Sequence, residues 1–299
     1  MTHPAVKSGA PPNRSKFSGP KPFTTHQRFD FRLGKAFLPD HARRELGKKT
    51  LLFLGLSAFV TALFVFITHR KNAQNLDNSG KDYQEGEKRF VAVKKKVTPH
   101  LKKLFQEREL PWGSPIFIRA FKKERHLELW VKKRESFILL KSYFIAGTSG
   151  ELGPKLHQGD GQIPEGFYFV TPHQMNPQSN FHLSFNIGYP NQYDRTYNRT
   201  GDFIMVHGSN VSVGCMAMTN NKIEEIYTLA DAAFAGGQKF FRIHIFPFKM
   251  SKAAMQQNFG NRWHPFWRKL KIGYQIFEDT KLPPNVTVKN KAYQFENQD

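Results

Sequence analysis

Residues 203 to 219 read Phe-Ile-Met-Val-His-Gly-Ser-Asn-Val-Ser-Val-Gly-Cys-Met-Ala-Met-Thr, and the chain is best read outward from them. The apolar run Phe203 to Val206 predicts a short buried strand that delivers His207 at its end, with Gly208 next. Eight residues after His207 stands Cys215, the single cysteine of the chain, preceded by Gly214, with Ser212 two residues before that glycine. A thiol attacks as its thiolate, and an unperturbed pKa of about 8.5 leaves only a few per cent ionised at neutral pH. A histidine within reach can take that proton and later return it to a leaving amine. The Gly-Cys step permits a tight turn that can aim backbone N–H groups at a developing oxyanion. Against this, a lone cysteine is more often an inert buried hydrophobe than a nucleophile, and spacing by itself leaves both readings open.

The stretch resembles the active-site signature of L,D-transpeptidases of the YkuD type, His-Gly, a spacer, then Ser-x-Gly-Cys. The short spacer is similar to that of the YafK-like branch. So are Gly150-Glu151-Leu152-Gly153-Pro154-Lys155, Gly159-Asp160, Pro164-Glu165-Gly166-Phe167-Tyr168 and the run from Phe181 to Asn191. The resemblance extends from about Pro115 to about Phe277. It implies a mainly antiparallel β sandwich or barrel with a few flanking α-helices and with Cys215 at one mouth. It further implies a peptidoglycan stem peptide as substrate, opened at the L-centre of diaminopimelate. In that scheme Cys215 is the nucleophile and His207 the general base and acid. The backbone N–H groups of Gly214 and Cys215 face the oxyanion, and Ser212 orients His207 or lines the hole. The acyl-enzyme is resolved by an amine or by water, with release of a wall-tethered lipoprotein among the outcomes. Neither metal nor cofactor is called for. One departure matters: most members carry His-Gly-Cys at the nucleophile, whereas Val213 stands here, leaving His207 as the nearby base. That bears on transfer to standard acceptors.

Composition narrows the partners. A chain of 299 residues with 39% hydrophobic content and 29 phenylalanines can build an ample core. Its net charge of +21 attracts polyanions: nucleic acid, anionic lipid or an acidic wall polymer. The excess is spread along the chain, and no nucleic-acid-binding motif accompanies it, so nucleic acid is not expected as a partner. One cysteine excludes an internal disulfide framework.

Residues 1–50, rich in Pro, Gly, Ser and Lys/Arg, are expected to be a flexible basic tail. Residues 51–68 carry no charge and at about 1.5 Å per residue span roughly 27 Å, enough for a hydrocarbon core. A cleaved signal peptide is disfavoured by the 50 residues in front and by the lack of a small-x-small site after Thr68. A single membrane anchor is the expectation. Six Lys/Arg from Arg32 to Lys49 against four from Arg70 to Lys88 place the N-terminus in the cytoplasm and the rest in the periplasm. Residues 69–114 read as a linker and a docking helix, capped by Thr98 with Pro99 at its first position. The catalytic domain is expected over 115–278, opening with a three-strand antiparallel meander to Ala146. Asn221 to Phe234, with Glu224 closing a capping box, and Pro265 to Phe277 read as helices, and 279–299 as a mobile tail.

Substrate-binding candidates follow from type and position. Phe181 to Ile187 alternates, so His182 and Asn186 share a polar strand face beside the catalytic strand. Arg195 and Arg199, in the next loop, suit the free carboxylates of diaminopimelate. The Gly-rich loop 147–161, with Lys155, His157 and Asp160, lacks the strand-to-helix context of a phosphate cradle. His244 on a later strand reads as structural. Two rival functions remain: a non-catalytic basic module that binds the wall, and a zinc amidase. For the second, twelve histidines suffice, but no His-Glu-x-x-His or paired-Cys spacing occurs.

Overall fold

The computed structural model describes Thr68 and residues 84–296. The expected tail at 1–50 and the anchor at 51–68, apart from Thr68, lie outside the described residues. No helix among the described residues is long and apolar enough to cross a membrane. The chain divides into two units, Met1–Thr68 and His69–Asp299, and every element below belongs to the second.

Helix α1 covers 84–107. It does not begin at Thr98: the helix runs straight through Pro99. The reason is the stripe Phe90, Val93, Val97, Leu101 and Phe105, all buried and continuous across the proline. Each such side chain gains about 1.5–3 kcal/mol on burial, against about 3 kcal/mol for one interior proline. Thr98 Oγ1 is left buried without a partner.

Strands β1 (Ile116–Phe121), β2 (His126–Lys133) and β3 (Ser136–Phe144) form the expected antiparallel meander. All six residues of β1 are buried. Ile116, Ile118 and Ala120 belong to the main apolar core, and Phe117 and Phe121 to clusters elsewhere, as period-two alternation requires. Next come β4 (Gly166–Val170), β5 (Met175–Asn176), β6 (Ser184–Asn186), α2 (Gln192–Thr196), β7 (Met205–His207), β8 (Met216–Ala217), α3 (Asn220–Ala235) and β9 (Phe241–Phe246). The chain closes with α4 (Lys252–Gln257), α5 (His264–Thr280), β10 (Asn285–Lys289) and β11 (Ala292–Glu296).

Two larger sheets result, β3-β2-β1-β9-β4 and β5-β6-β7-β8. Each contains one parallel pairing, β1 with β9 and β7 with β8. The architecture is therefore a sheet-dominated fold with a few helices, its pairings mainly antiparallel as expected, but with mixed sheets because of the two parallel pairs. The parallel pairs arise because β9 and β8 are reached by crossovers, a topology that alternation along a strand does not encode. The main core joins α1, α3 and the second sheet to one face of β1; α5 and β11 contribute to the cluster that takes Phe121.

The C-terminal residues depart most from expectation. Instead of a mobile tail beyond 278, β10 and β11 pair as a hairpin around Asn290 and Lys291, both at positive φ (51° and 57°), the geometry of a tight hairpin turn. Tyr293 stacks on Tyr193 (4.1 Å, 12°), and Phe295 meets Phe167 (5.2 Å).

Candidate active site

The site is built on the parallel pair β7/β8. Strand β7 begins at Met205, two residues later than the apolar run suggests: Phe203 is 71% exposed with φ 51°, and only Ile204 and Val206 face the core. His207 ends β7 and is buried. The chain leaves through Gly208 and Ser209 (φ 64°) and returns through Gly214 (φ 78°) to Cys215 and β8. The register pairs Val206 with Met216 and His207 with Ala217. Continued one step, it sets Cys215 beside Met205, so Cys215 and His207 are diagonal neighbours on one sheet face. Such neighbours lie roughly 7–8 Å apart at their Cα atoms.

Local hydrogen bonds fix both groups. His207 Nδ1 lies 2.6 Å from Gly208 O. A carbonyl only accepts, so Nδ1 carries the hydrogen and the neutral ring leaves Nε2 bare as a base. Burial pushes the imidazole below its ordinary pKa, partly opposed by that bond. The Cys215 thiol is pushed up by burial, opposed by the Met205 N–H and the charge of Lys155. Sγ accepts from Met205 N (3.2 Å) and donates to Phe203 O (3.6 Å). Among the hydrogen bonds of the described residues, none joins the thiol to the imidazole. Burial thus favours the neutral form of both groups, and Sγ is directed at Phe203 O rather than at Nε2.

Around the thiol, Gly214 N–H donates to Ser149 Oγ (2.6 Å), which donates in turn to Gly161 O (2.6 Å). A role for Gly214 as an oxyanion donor therefore requires Ser149 to release it. Ser212 Oγ is buried and has no partner. Val213, where the resemblance leads one to look for a second histidine, is 82% exposed. Lys155 is buried and bonds Asp160 Oδ1 (2.6 Å) and His157 O (2.7 Å). Asp160 also accepts N–H bonds from Leu156, His157 and Gln162, and its pKa is lowered to about 2, the Lys155 and backbone bonds overcoming the burial that opposes them. The Gly-rich loop is thus organised around its own aspartate.

The substrate-binding candidates separate. Arg199 is committed to Asp194 (2.8 Å) and lies within 4.9 Å of the Phe266 ring centre, buried. Arg195, on α2, is exposed. His182 precedes β6 at φ 74° and bonds Glu224 Oε1 (2.9 Å). It is not on the expected strand face, because 181–183 is a turn. Glu224, expected to cap α3, is instead buried between His182 and Lys96 (2.7 Å), and Thr219 stands at the N-cap with φ 73°. Asn186 lines a cleft of about 680 Å³ together with Gln174, Phe203, Met205, Glu87 and Asp231, which reaches β7 but not Cys215 itself. His244 is buried among Phe117, Phe167 and Phe246, as a structural reading implies. No group of three or more His, Cys, Asp or Glu that could hold a metal occurs among the described residues. Missed by the sequence reading were Ser149 and Phe181, whose ring packs on that of His207 at 4.8 Å. Neither carries a signal beyond being a loop residue near a glycine or a strand.

Comparison with known proteins gives three results. The family model of the YkuD L,D-transpeptidase catalytic domain matches residues 115–271. YafK of Escherichia coli (strain K12), which carries a provisional assignment as an L,D-transpeptidase, is 46% identical over 181 residues, 60% of this chain and 74% of that protein. Among solved structures, the helical cell shape determining protein Pgp2 of Campylobacter jejuni aligns at 17% identity and a TM-score of 0.38, over 60% of this chain and 75% of that one. Bd1075 of Bdellovibrio bacteriovorus aligns at 22% and 0.32, over 55% of this chain and 62% of that one, so less than two thirds of its length is spanned. The matched family region contains β7, β8, His207 and Cys215, and the chain belongs to the YkuD L,D-transpeptidase catalytic-domain family.

Proposed function

We propose that this protein is a cysteine enzyme that opens the L,D peptide bond at diaminopimelate in peptidoglycan stem peptides through an acyl-enzyme on Cys215. The observation that carries the reading is a free thiol and a neutral imidazole with a bare Nε2 on the same face of β7/β8. His207 takes the thiol proton as Sγ attacks the carbonyl, and returns it to the departing amine. Backbone N–H groups at the Gly214-Cys215 turn receive the oxyanion, with Ser149 exchanging its hold on Gly214 for a bond elsewhere. Water or an amine then resolves the thioester, giving hydrolysis or transfer. Release of a lipoprotein tethered through the same bond is the same chemistry on a larger leaving group. Residues 51–68 serve as a single inner-membrane anchor in this proposal, with the enzyme domain on the periplasmic side, where its substrate lies.

The test is incubation of the purified protein with disaccharide tetrapeptides and mass analysis of the products. Water-terminated tripeptides indicate hydrolysis, and cross-linked or D-amino-acid-exchanged products indicate transfer. No product, with Cys215 inert, rejects the proposal in favour of a wall-binding module. Activity lost to EDTA but surviving iodoacetamide favours the zinc amidase.

A further inference from the structure

We propose that α1, which precedes the family-matched residues 115–271, is a positioning element of the active site: it clamps the turn from Ser179 to Leu183 so that Phe181 covers the imidazole of His207. The proposal rests on the reading of His207 as the general base.

The clamp has three parts. Gly86 is buried where the backbone of α1 meets the loop: a Cβ there would lie 2.7 Å from Gln178 Cγ and 2.9 Å from Pro177 O and Gln178 N, so only glycine allows the approach. Three residues on, on the same helix face, Arg89 Nη1 donates to Ser179 O (3.1 Å) and His182 O (2.7 Å). Lys96 then pairs with Glu224, whose other oxygen holds His182 Nε2 (2.9 Å). The turn is thereby held by both ends of its backbone and by one side chain. Between the two clamped carbonyls sits Phe181, 47% exposed yet with its ring tilted 39° over that of His207. A large apolar ring left half in water gains little from the core; what it excludes is solvent from one face of the imidazole. Gly208 completes the fit, since a Cβ on it would fall 3.0 Å from His182 Cβ, too close for both to stay in place.

Released from Arg89, the turn relaxes, Phe181 lifts, and the ring of His207 becomes hydrated. Hydration favours the imidazolium, so less of the base is available at a given pH. The titratable and charged groups on the surrounding elements are His182 on the turn, Glu224 on α3, Arg89 and Lys96 on α1, and Cys215 ahead of β8. None contributes to the depression of His207, which is due to burial.

The experiment uses the full chain, purified, with kcat and KM for a disaccharide tetrapeptide measured from pH 5 to 8. For Arg89→Ala we expect kcat to fall about 10- to 100-fold, the range for a displaced catalytic group. KM should stay within about two-fold and the acidic limb should rise towards about 6.5. Arg89→Lys, which keeps a cation able to donate to both carbonyls, should restore most of the rate. Phe181→Leu should raise the acidic limb with the clamp intact. Wild-type rate and limb in Arg89→Ala would overturn the proposal, as would an unmoved limb in Phe181→Leu. A loss that Arg89→Lys does not rescue and that follows the melting temperature would also overturn it, as a purely structural role. The NMR titration of His207 in Cys215→Ser protein reads the clamp without turnover. If wild-type protein forms no Cys215 adduct while Arg89→Ala still raises the His207 titration, the proposed function fails and the clamp stands.

Discussion

Glu165, in the stretch Pro164-Glu165-Gly166, offers the sharpest test of how the fold supports the site. It is fully buried and accepts from Gly153 N (2.7 Å) and from Trp267 Nε1 (2.7 Å), with Lys122 Nζ at 3.1 Å. One carboxylate thus ties the Gly-rich loop to α5 and neutralises a buried ammonium. In Glu165→Ala both N–H donors lose their acceptor and Lys122 loses its counter-charge, keeping only the carbonyls of Gly153 (2.6 Å) and Ile163 (2.9 Å). Removing one partner of a buried pair costs about 3–5 kcal/mol. For a domain of this size about 1 kcal/mol moves the melting temperature about 2–4 °C, so a drop of about 6–20 °C is expected. Glu165→Gln keeps an acceptor but not the charge, and should fall between. Glu85→Ala, which removes an exposed pair with Lys88 (side chains 68% and 71% exposed), is the control and should leave melting unchanged. Calorimetry together with urea unfolding at constant m gives the comparison. Glu165→Ala melting within about 2 °C of wild type would refute the reasoning, since one destabilised hydrogen bond alone accounts for that much.

Other expectations follow from the same geometry. Because burial lowers the His207 pKa, the acidic limb of kcat/KM should lie below the ordinary imidazole range, and a limb at or above it would contradict the burial. Alkylation of free Cys215 by iodoacetamide should increase only above the usual thiol range, because burial raises its pKa. His207 and His244 are both held neutral in the fold, so the unfolded chain binds more protons as pH falls below about 6.5. Stability should therefore drop from pH 7 to 5, and His244→Leu should flatten that slope in melting experiments. Arg199→Ala should lower the melting temperature through its buried pair with Asp194 and leave KM unchanged in the folded fraction, whereas Arg195→Ala, on an exposed position, should leave melting unchanged.

Much of the framework was legible where one local rule governs. Alternation marked β1 to β3, and helical spacing with Pro265 marked α5. His207 and Cys215 could be read from the chemistry of a thiol and its base and from the resemblance, and Gly214 from the tight turn that its φ of 78° requires. What failed depended on distant partners. Glu224 fits a capping box by spacing, yet Lys96 and His182, far away in sequence, outbid the helix end for its carboxylate. Pro99 marks a helix start only if the preceding turn has nothing to bury, and Phe90 and Val93 do. Arg199 looks like a free arginine in a polar loop until Asp194 and the rings of α2 and α5 close around it. The hairpin β10/β11 carries weak alternation and is held by Tyr193 and Phe167, which no local pattern could supply.

The most direct measurement is mass spectrometry of the protein quenched during turnover of a disaccharide tetrapeptide, with the adduct mapped to a peptide. A thioester-linked tripeptide on the peptide containing Cys215, absent in Cys215→Ser and slow to form in His207→Gln, is the expected result. Product formation with Cys215 unmodified at every quench time, and undiminished in Cys215→Ser, would contradict the proposed chemistry.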